Sequence, residues 1–419
     1  MRQQTRPRKQ RAGAACVALL ALTLGACSIA GLGGGAGFGG GPAPADPLAA
    51  GADTGGAPIV GNAPVTGEVM GSGTVKVALL LPLSATGNTG VVAQDIKNAA
   101  SLAVKDFPSA NIQVLVKDDR GTADGARAAA TEAISQGAEL ILGPLIASAV
   151  NAASAVARGA NVPMVAFSTD SSTASRGVYL LSFLPQPDVD RVVGYAASHG
   201  RKAIAAILPN NGYGTVVEAA LHKAAGDTGA DLVAIVRYDL DRVSMQARAK
   251  EIAAIAKAGR VNAVFVPDAG DAAPFIADIL AAEGVRQPTI ALLGSAQWDD
   301  PRFLQGSNLN GAFFPAPDRT GFAGFSSKFQ AAFGKSPVRQ ASIGYDAISL
   351  AAGLTAGFGN QRFSGATIGK AQGFVGVDGV YRFNADGTNQ RALAIYTIDK
   401  GKTQIVDAAP TSFPGAGAF

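Results

Sequence analysis

Histidine and cysteine are nearly absent: the 419 residues contain two of each. His199 and His222 lie on different helical stretches without metal-ligand spacing, and no Gly-x-Ser-x-Gly nucleophile motif occurs. The His and Cys residues that usually build a metal centre or a nucleophilic active site are therefore scarce. A Ser/Lys or carboxylate site is the alternative, but no motif in the sequence indicates one. We predict a binding protein rather than an enzyme, with no catalytic residues, metal or cofactor.

Acidic residues are absent from the first 26 positions, where a basic start and an apolar run stand instead. The run, residues 12–26, is too short to span a bilayer comfortably, and this order is typical of an export signal. It ends in Leu24-Gly25-Ala26-Cys27, which resembles the lipobox of bacterial lipoproteins. That resemblance implies a lipoprotein signal peptide over residues 1–26 and a lipid-bearing Cys27 as the first mature residue.

The second cysteine, Cys16, lies inside the predicted signal, so Cys27 has no partner for an internal disulfide. Each buried lipid methylene contributes about 0.8 kcal/mol, and stable anchoring requires more than one acyl chain. An acylated Cys27 would hold the protein to the inner or outer membrane, on the periplasmic side, without a transmembrane helix. The alternative is a plain secretory signal that contains a cysteine.

The chain has a formal net charge of +4 and a pI near 9.0, and this excess of positive charge comes from the export signal. Five of the 35 Lys+Arg residues and none of the 31 Asp+Glu residues precede Cys27, which leaves 30 basic and 31 acidic residues after it. Nucleic-acid binding depends on clustered positive charge and is not predicted.

Residues 27–73, rich in Gly, Ala and Pro and free of Lys and Arg, are predicted to form a flexible tether.

From residue 74, short β-branched or aliphatic runs alternate with Ala-rich stretches of helical spacing. Strands are predicted at 75–81, 112–116, 140–142, 164–167 and 179–182, with helices at 93–106, 123–136 and 148–158. The pattern then restarts, with strands at 203–208, 232–236, 261–266 and 290–293 and helices at 214–226, 245–258 and 272–283. A connecting strand at 311–315, helices at 322–333 and 342–357, and a β pair of 379–383 with 393–398 around a turn at 384–387 complete the prediction.

Such alternation indicates an α/β fold of two doubly wound parallel-sheet lobes, and the return of strands after both lobes indicates a multi-strand hinge. The predicted boundaries are 74–183 and 315–376 for the first lobe, 184–314 and 377–407 for the second, and 408–419 for a tail. Ligands of open α/β sheets bind beyond the carboxyl ends of the strands. The first-lobe loops at that edge carry small polar residues, among them Ser84, Thr89, Ser148 and Ser172. Ser148 and Ser172 could alternatively cap helices.

Four segments, at 77–84, 116–121, 143–144 and 163–168, resemble in order and spacing the type I periplasmic ligand-binding proteins of the leucine-binding class. The resemblance extends over residues 74–407. It implies two lobes, joined by three strands, that close on a ligand as a hinge. It also implies that Ala147, Ser148, Asp170 and Ser172 hold a ligand carboxylate and that Tyr213 closes over the ligand from the second lobe.

The family places an acid for the ligand's ammonium in a later second-lobe loop, but the corresponding loop here, residues 293–300, has none at that spot. This departure puts an α-amino ligand in doubt. Asp268 and Asp271, after another second-lobe strand, are possible substitutes, although Asp271 is favoured as a helix cap. Gln297, in the 293–300 loop, joins the candidate ligand residues. Trp298 could stack on a ligand or lie in the core.

Two functions are compatible with these features. The first is a lipid-anchored receptor that delivers an amino acid or similar small polar solute to the permease of an ABC importer. The alternative is suggested by a similarity to penicillin-binding-protein activator lipoproteins, which act through protein contacts with cell-wall synthases. The missing ammonium partner and the long tether favour the alternative, whereas the closing cleft and Tyr213 favour solute capture.

Overall fold

A computed structural model of the protein describes residues 63–300 and 307–413, which belong to one compact unit, Gly55–Phe419. The predicted signal peptide, Cys27 and most of the predicted tether lie outside the described residues. No helix in the described ranges combines the length and the apolar character needed to cross a membrane.

The first sheet has six strands in the spatial order β1-β3-β2-β4-β5-β6. All neighbours are parallel except β1, which runs antiparallel to β3. Its strands are β1 (Val69–Met70), β2 (Val75–Leu81), β3 (Ile112–Asp118), β4 (Leu140–Leu142), β5 (Met164–Ala166) and β6 (Val178–Leu180). The connecting helices are α1 (Gly87–Asp106), α2 (Ala123–Ser135) and α3 (Ala147–Gly159).

Helices cover both faces of this sheet because alternate side chains of each strand point to opposite sides. In β2, Val77, Leu79 and Leu81 belong to one buried cluster with α1, whereas Ala78 and Leu80 belong to a second cluster with α2 and α3. Apart from Lys76, this strand is apolar and is buried on both faces, as expected for a doubly wound parallel sheet.

The second sheet begins after α4 (Pro185–Ser198), a helix for which the sequence analysis gave no bounds. The alternating elements that follow are β7 (Ala203–Pro209), α5 (Gly212–Thr228), β8 (Asp231–Tyr238), α6 (Arg242–Ile255), β9 (Ala263–Phe265), α7 (Ala272–Ala282), β10 (Ala291–Leu293) and β11 (Phe313–Ala316). Alternate residues of β7 again enter separate buried clusters, so this lobe is doubly wound as well.

The C-terminal part contributes to both lobes. Helices α8 (Arg319–Phe333), α9 (Ser342–Gly357) and α10 (Gly365–Ile368) precede a three-stranded antiparallel sheet of β12 (Phe374–Gly376), β13 (Gly379–Phe383) and β14 (Asn389–Arg391). The last strands, β15 (Ala394–Asp399) and β16 (Lys402–Asp407), complete the second sheet in the order β16-β15-β11-β10-β9-β7-β8. The chain therefore passes between the lobes three times, after β6, β11 and β14. The predicted α/β fold with two doubly wound lobes and a multi-strand hinge is confirmed.

Three details differ from the sequence prediction. The segment 379–383 does not pair with the 393–398 region: β13 pairs with β12 and β14, while β15 pairs with β11 and β16. Tyr381 and Phe383 of β13 lie in the first-lobe core, so the packing differs from the predicted boundary at residue 377. The predicted tether to residue 73 also overlaps the fold, because β1 pairs with β3 and the Thr66 carbonyl accepts a hydrogen bond from Lys117 Nζ at 2.8 Å.

Candidate functional site

Three loops meet at the carboxyl edge of the second sheet, after β7, β9 and β10. The hydroxyl of Tyr213, at the start of α5, lies 3.1 Å from the carbonyl oxygen of Pro267 and 3.4 Å from Ser295 Oγ. Ser295 Oγ in turn donates to the Pro267 carbonyl at 2.6 Å. Since all three strands are parallel, their carboxyl ends lie side by side, and the side chains of their loops can bond across them. We call Tyr213, Ser295 and Asp268 the Tyr213 cluster.

Asp268 is held in this cluster by donors from two other elements. Its carboxylate accepts a hydrogen bond from the hydroxyl of Tyr238, at the end of β8, and another from the Ala269 N–H at 2.7 Å. Its carbonyl accepts from Trp298 Nε1 at 3.1 Å. The candidate Asp268 is therefore in place at the sheet edge, with part of its hydrogen-bonding capacity already used inside the lobe.

Trp298 is fully buried in the second-lobe core, so its role is packing rather than stacking on a ligand. Its ring lies against the backbone of Gly294, where a Cβ would come within 2.2 Å of the indole. Gln297, the preceding residue, is exposed, and its N–H donates to Ser295 Oγ at 3.3 Å. In this loop, Gln297 therefore faces outward, whereas Trp298 packs in the core and holds the loop in place.

Asp188 is a functional candidate that the sequence analysis missed. It lies in the first turn of α4, half-buried, and its Oδ2 accepts a hydrogen bond from the Ala296 N–H at 3.1 Å. Burial raises the pKa of Asp188 to about 7, and only this backbone bond and the charge of Arg391 oppose the effect. An acid therefore does lie beside the loop after β10, although it is supplied by another element.

The hydroxyl of Tyr213 stays protonated across the physiological range. Burial raises the pKa of Tyr213 strongly and the nearby charge of Asp188 adds to the rise, while hydrogen bonds with Ser295 and Gln297 act in the opposite direction. Tyr213 and Asp188 thus share one electrostatic environment. The second lobe presents a neutral hydroxyl and a weakly ionised acid to whatever occupies the space beside them.

On the first lobe, the loop after β2 is tied to the loop after β3. Ser84 is exposed, and its N–H donates to Asp118 Oδ1 at 3.3 Å. Burial acts to raise the pKa of Asp118, but hydrogen bonds from Ser84 and Arg120 outweigh it and lower the pKa. Thr89 is the third residue of α1 and is half-buried. Neither Ser84 nor Thr89 contacts the other first-lobe candidates through a hydrogen bond.

The other first-lobe candidates lie at the starts of helical turns. Ser148 is exposed in the first turn of α3, makes no hydrogen bond to a described residue and does not cap the helix, since Ile146 occupies the cap position. Ala147 is the first helical residue, and backbone N–H groups of a first turn have no helical acceptor. Ser172 instead donates to Asp170 Oδ1 through its N–H at 3.0 Å and its Oγ at 2.7 Å.

The predicted residues therefore form two separate groups. The structure joins Tyr213, Asp268 and Gln297 through the loop after β10, and it joins Asp170 with Ser172 in the first lobe. Among the described residues, no hydrogen bond connects a first-lobe candidate with a second-lobe candidate. Asp271 precedes α7 as predicted but makes no capping side-chain bond.

Comparison with known proteins agrees with this architecture. The family model described as periplasmic binding protein matches residues 74–403. No curated protein sequence matches the chain.

Solved structures of low sequence identity share the fold. A branched-chain amino acid ABC transporter periplasmic ligand-binding protein from Burkholderia xenovorans has 17% identity and a TM-score of 0.60, covering 81% of this chain and 94% of its own. An ABC transporter solute binding protein from R. palustris, in complex with benzoate, has 19% identity and a TM-score of 0.55, covering 82% and 98%. A branched-chain amino acid transporter substrate binding protein from Streptococcus pneumoniae, in complex with isoleucine, has 19% identity and a TM-score of 0.53, covering 80% and 99%. With the family model matching most of its length, the chain belongs to the periplasmic binding protein family.

Proposed function

We propose that the protein captures an amino acid or a similar small polar ligand between its two lobes and delivers it to the permease of an ABC importer. The observation that carries this proposal is the Tyr213 cluster, in which the loops after three parallel strands bring the Tyr213 hydroxyl and the Asp268 carboxylate to one sheet edge. Asp188 reaches the loop after β10 from α4 and adds a second acid beside this cluster. Such an edge is where α/β folds bind small ligands.

The first lobe offers a complementary surface. The unbonded hydroxyl of Ser148 and the open first turn of α3 suit a ligand carboxylate, because backbone N–H groups and the helix dipole attract anions. A carboxylate on α3 and a polar group beside Asp188 would make one ligand touch both lobes. The solved relatives bound to isoleucine and to benzoate both carry a carboxylate on their ligand, which supports this class.

A thermal-shift screen of the mature chain with amino acids and small carboxylates tests the proposal. A ligand that binds the folded state raises the Tm in proportion to the logarithm of its concentration over its Kd. For any ligand found, Tyr213→Ala should weaken binding by about tenfold or more, since it removes both the ring and the hydroxyl. Tyr213→Phe, which keeps the ring, should have the smaller effect. Unchanged affinity in both variants would remove Tyr213 from the site.

The second candidate function, activation of a penicillin-binding protein through protein contacts, is favoured by one observation. The Tyr213 hydroxyl and the Asp268 carboxylate already bond within their own lobe, so the cluster is largely satisfied as it stands. Absence of any ligand in the screen, together with pull-down of a penicillin-binding protein, would favour this function over transport.

We also propose that the mature protein is periplasmic and attached to a membrane through acylated Cys27. Support comes from the Leu24-Gly25-Ala26-Cys27 run after a basic start. Cys27→Ser should move the protein from the membrane fraction to the soluble periplasmic fraction, whereas Cys16→Ser, inside the signal, should leave it membrane-bound. A membrane-bound Cys27→Ser protein would contradict the anchor.

A further inference from the structure

A cavity of about 290 Å³ opens in the first lobe between α9 and the β12–β13 hairpin. We call it the α9–β12 pocket; it is lined by Ser349, Leu350, Gly353, Leu354, Lys370, Gly373, Phe374, Val375 and Tyr381. None of these residues belongs to the candidate site described above. The volume lies close to the lower end of small-ligand sites, about 300 Å³.

Lys370 is the one charged residue among those that line the pocket. Its Nζ lies 4.5 Å from the centre of the Phe374 ring and 5.4 Å from that of Phe358. No Asp or Glu among the described residues pairs with it. Lys370 thus presents a half-buried positive charge whose neighbours are aromatic faces rather than anions.

The rest of the wall is mostly apolar. Leu350 and Leu354 are buried side chains of α9, and Phe374 packs against the same core. At the rim, Val375 is 80% exposed on the edge strand β12, and Phe358 is 40% exposed beside Lys370. Apolar side chains exposed around a cavity indicate a binding surface more strongly than isolated ones do.

Two hydroxyls belong to the wall. Ser349 Oγ is buried and has no hydrogen-bond partner among the described residues. Tyr381 is 1% exposed, and burial raises the pKa of its hydroxyl, which therefore remains protonated. Buried polar groups are normally satisfied, and ligand pockets carry a few polar groups that fix the orientation of the ligand.

We propose that the α9–β12 pocket is a second binding site, for a small amphiphilic monocarboxylate. The carboxylate pairs with Lys370, and an aromatic or short alkyl body packs on Leu350, Leu354 and Phe374. The unpaired hydroxyl of Ser349 and the hydroxyl of Tyr381 accommodate a polar substituent or an ordered water. This site is independent of the cleft between the lobes, so it holds whether or not the protein serves an importer.

Isothermal titration of the mature chain with benzoate and with benzamide, its uncharged counterpart, tests the site. Benzoate should bind about tenfold or more tightly than benzamide, since only the acid forms a charge-assisted bond with Lys370. Lys370→Gln should reduce benzoate affinity by a similar factor. The matched control Lys328→Gln, on the exposed pair with Asp106, should leave it unchanged.

Tyr213→Ala distinguishes this site from the cleft. Benzoate binding that survives Tyr213→Ala and is lost in Lys370→Gln supports the pocket. Binding lost in Tyr213→Ala and retained in Lys370→Gln places benzoate in the cleft and overturns the second site. Equal affinity for benzoate and benzamide, or no binding of benzoate at all, overturns it as well, and the pocket then holds only water.

Discussion

Buried acids dominate the electrostatics of individual residues in this protein. Burial raises the pKa of Asp188 and of Asp346 to about 7, and that of Asp119 to about 6. Each accepts one backbone N–H, from Ala296, Val377 and Gly121 respectively. A folded-state pKa above the unfolded value means that the folded state holds the proton more tightly. Stability from such a group is therefore lost as pH rises from about 4 to about 7.

Asp188→Asn should remove this pH dependence at one position. Asparagine keeps the oxygen that accepts from Ala296 but cannot ionise. The free energy of unfolding of the variant, relative to wild type, should therefore be about 1–2 kcal/mol greater at pH 8 than at pH 5. Denaturant unfolding at both pH values measures the difference. Asp227→Asn, at an exposed pair with Lys223, is the control and should show no such change. Equal stability differences at pH 5 and pH 8 would contradict the raised pKa.

Within the candidate site, only the residues that follow the ends of strands could be predicted from the sequence. Tyr213 and Asp268 are read from the sequence because each comes soon after an apolar strand. Asp188 could not be found this way, because it reaches the loop after β10 from α4. That helix is itself hard to predict, since Pro185 and Pro187 interrupt the helical spacing at its start. Proline is nonetheless well tolerated in the first helical turn, where its missing N–H is not needed.

At the scale of elements, one buried lysine joins three parts of the first lobe. Lys117 of β3 is 5% exposed, and its Nζ bonds to Glu132 of α2 at 2.5 Å and to the carbonyl of Thr66 at 2.8 Å. Glu132 also accepts from the Thr66 hydroxyl at 2.8 Å. The hydrogen bond from Lys117 lowers the pKa of Glu132 despite partial burial. Stability from this acid is therefore present above its ordinary pKa and is lost as pH falls through the lowered value.

Glu132→Ala should cost about 3 kcal/mol in free energy of unfolding at pH 7, because it leaves the buried charge of Lys117 without a carboxylate. The loss should shrink as the pH falls through the lowered pKa of Glu132, because the wild-type carboxyl is then protonated and no longer pairs with Lys117. Glu251→Ala, at the exposed pair with Arg248, should change stability by less than about 1 kcal/mol. Denaturant unfolding of both variants measures these losses in free energy. Equal losses in Glu132→Ala and Glu251→Ala would show that the burial of Lys117 has no energetic consequence.

The bounds of β2, β4 and α9, which are rich in apolar residues, were predicted correctly. The strand β14 was missed because its residues, Asn389, Gln390 and Arg391, are polar. Asn389 and Arg391 are buried by hydrogen bonds to carbonyls of the first crossing rather than by hydrophobic packing. A hydrophobicity pattern cannot show such a strand, and the turn at 384–387 was therefore assigned to the wrong pair.

At the scale of the whole molecule, the crossings between the lobes bond to one another. Asn389 Nδ2 donates to the carbonyls of Leu180 and Ser182 at 2.7 and 2.8 Å, and Arg391 Nε donates to Ser182 at 3.1 Å. The ring of Phe183 lies 4.6 Å from the guanidinium of Arg391 and 4.8 Å from that of Arg339. Phe183 thus connects the first crossing, through Arg391, to the third.

Phe183→Leu should loosen the first and third crossings together. The variant keeps an apolar side chain but removes the aromatic face from two guanidinium groups, for an expected loss of about 1–2 kcal/mol in stability. Hydrogen exchange read by mass spectrometry should then show faster exchange both near residues 180–184 and near 389–393, while the sheet cores stay protected. Phe358→Leu, on the surface beside Lys370, should change neither segment. Faster exchange confined to 180–184 would mean that the crossings move independently and that the hinge is not a coupled unit.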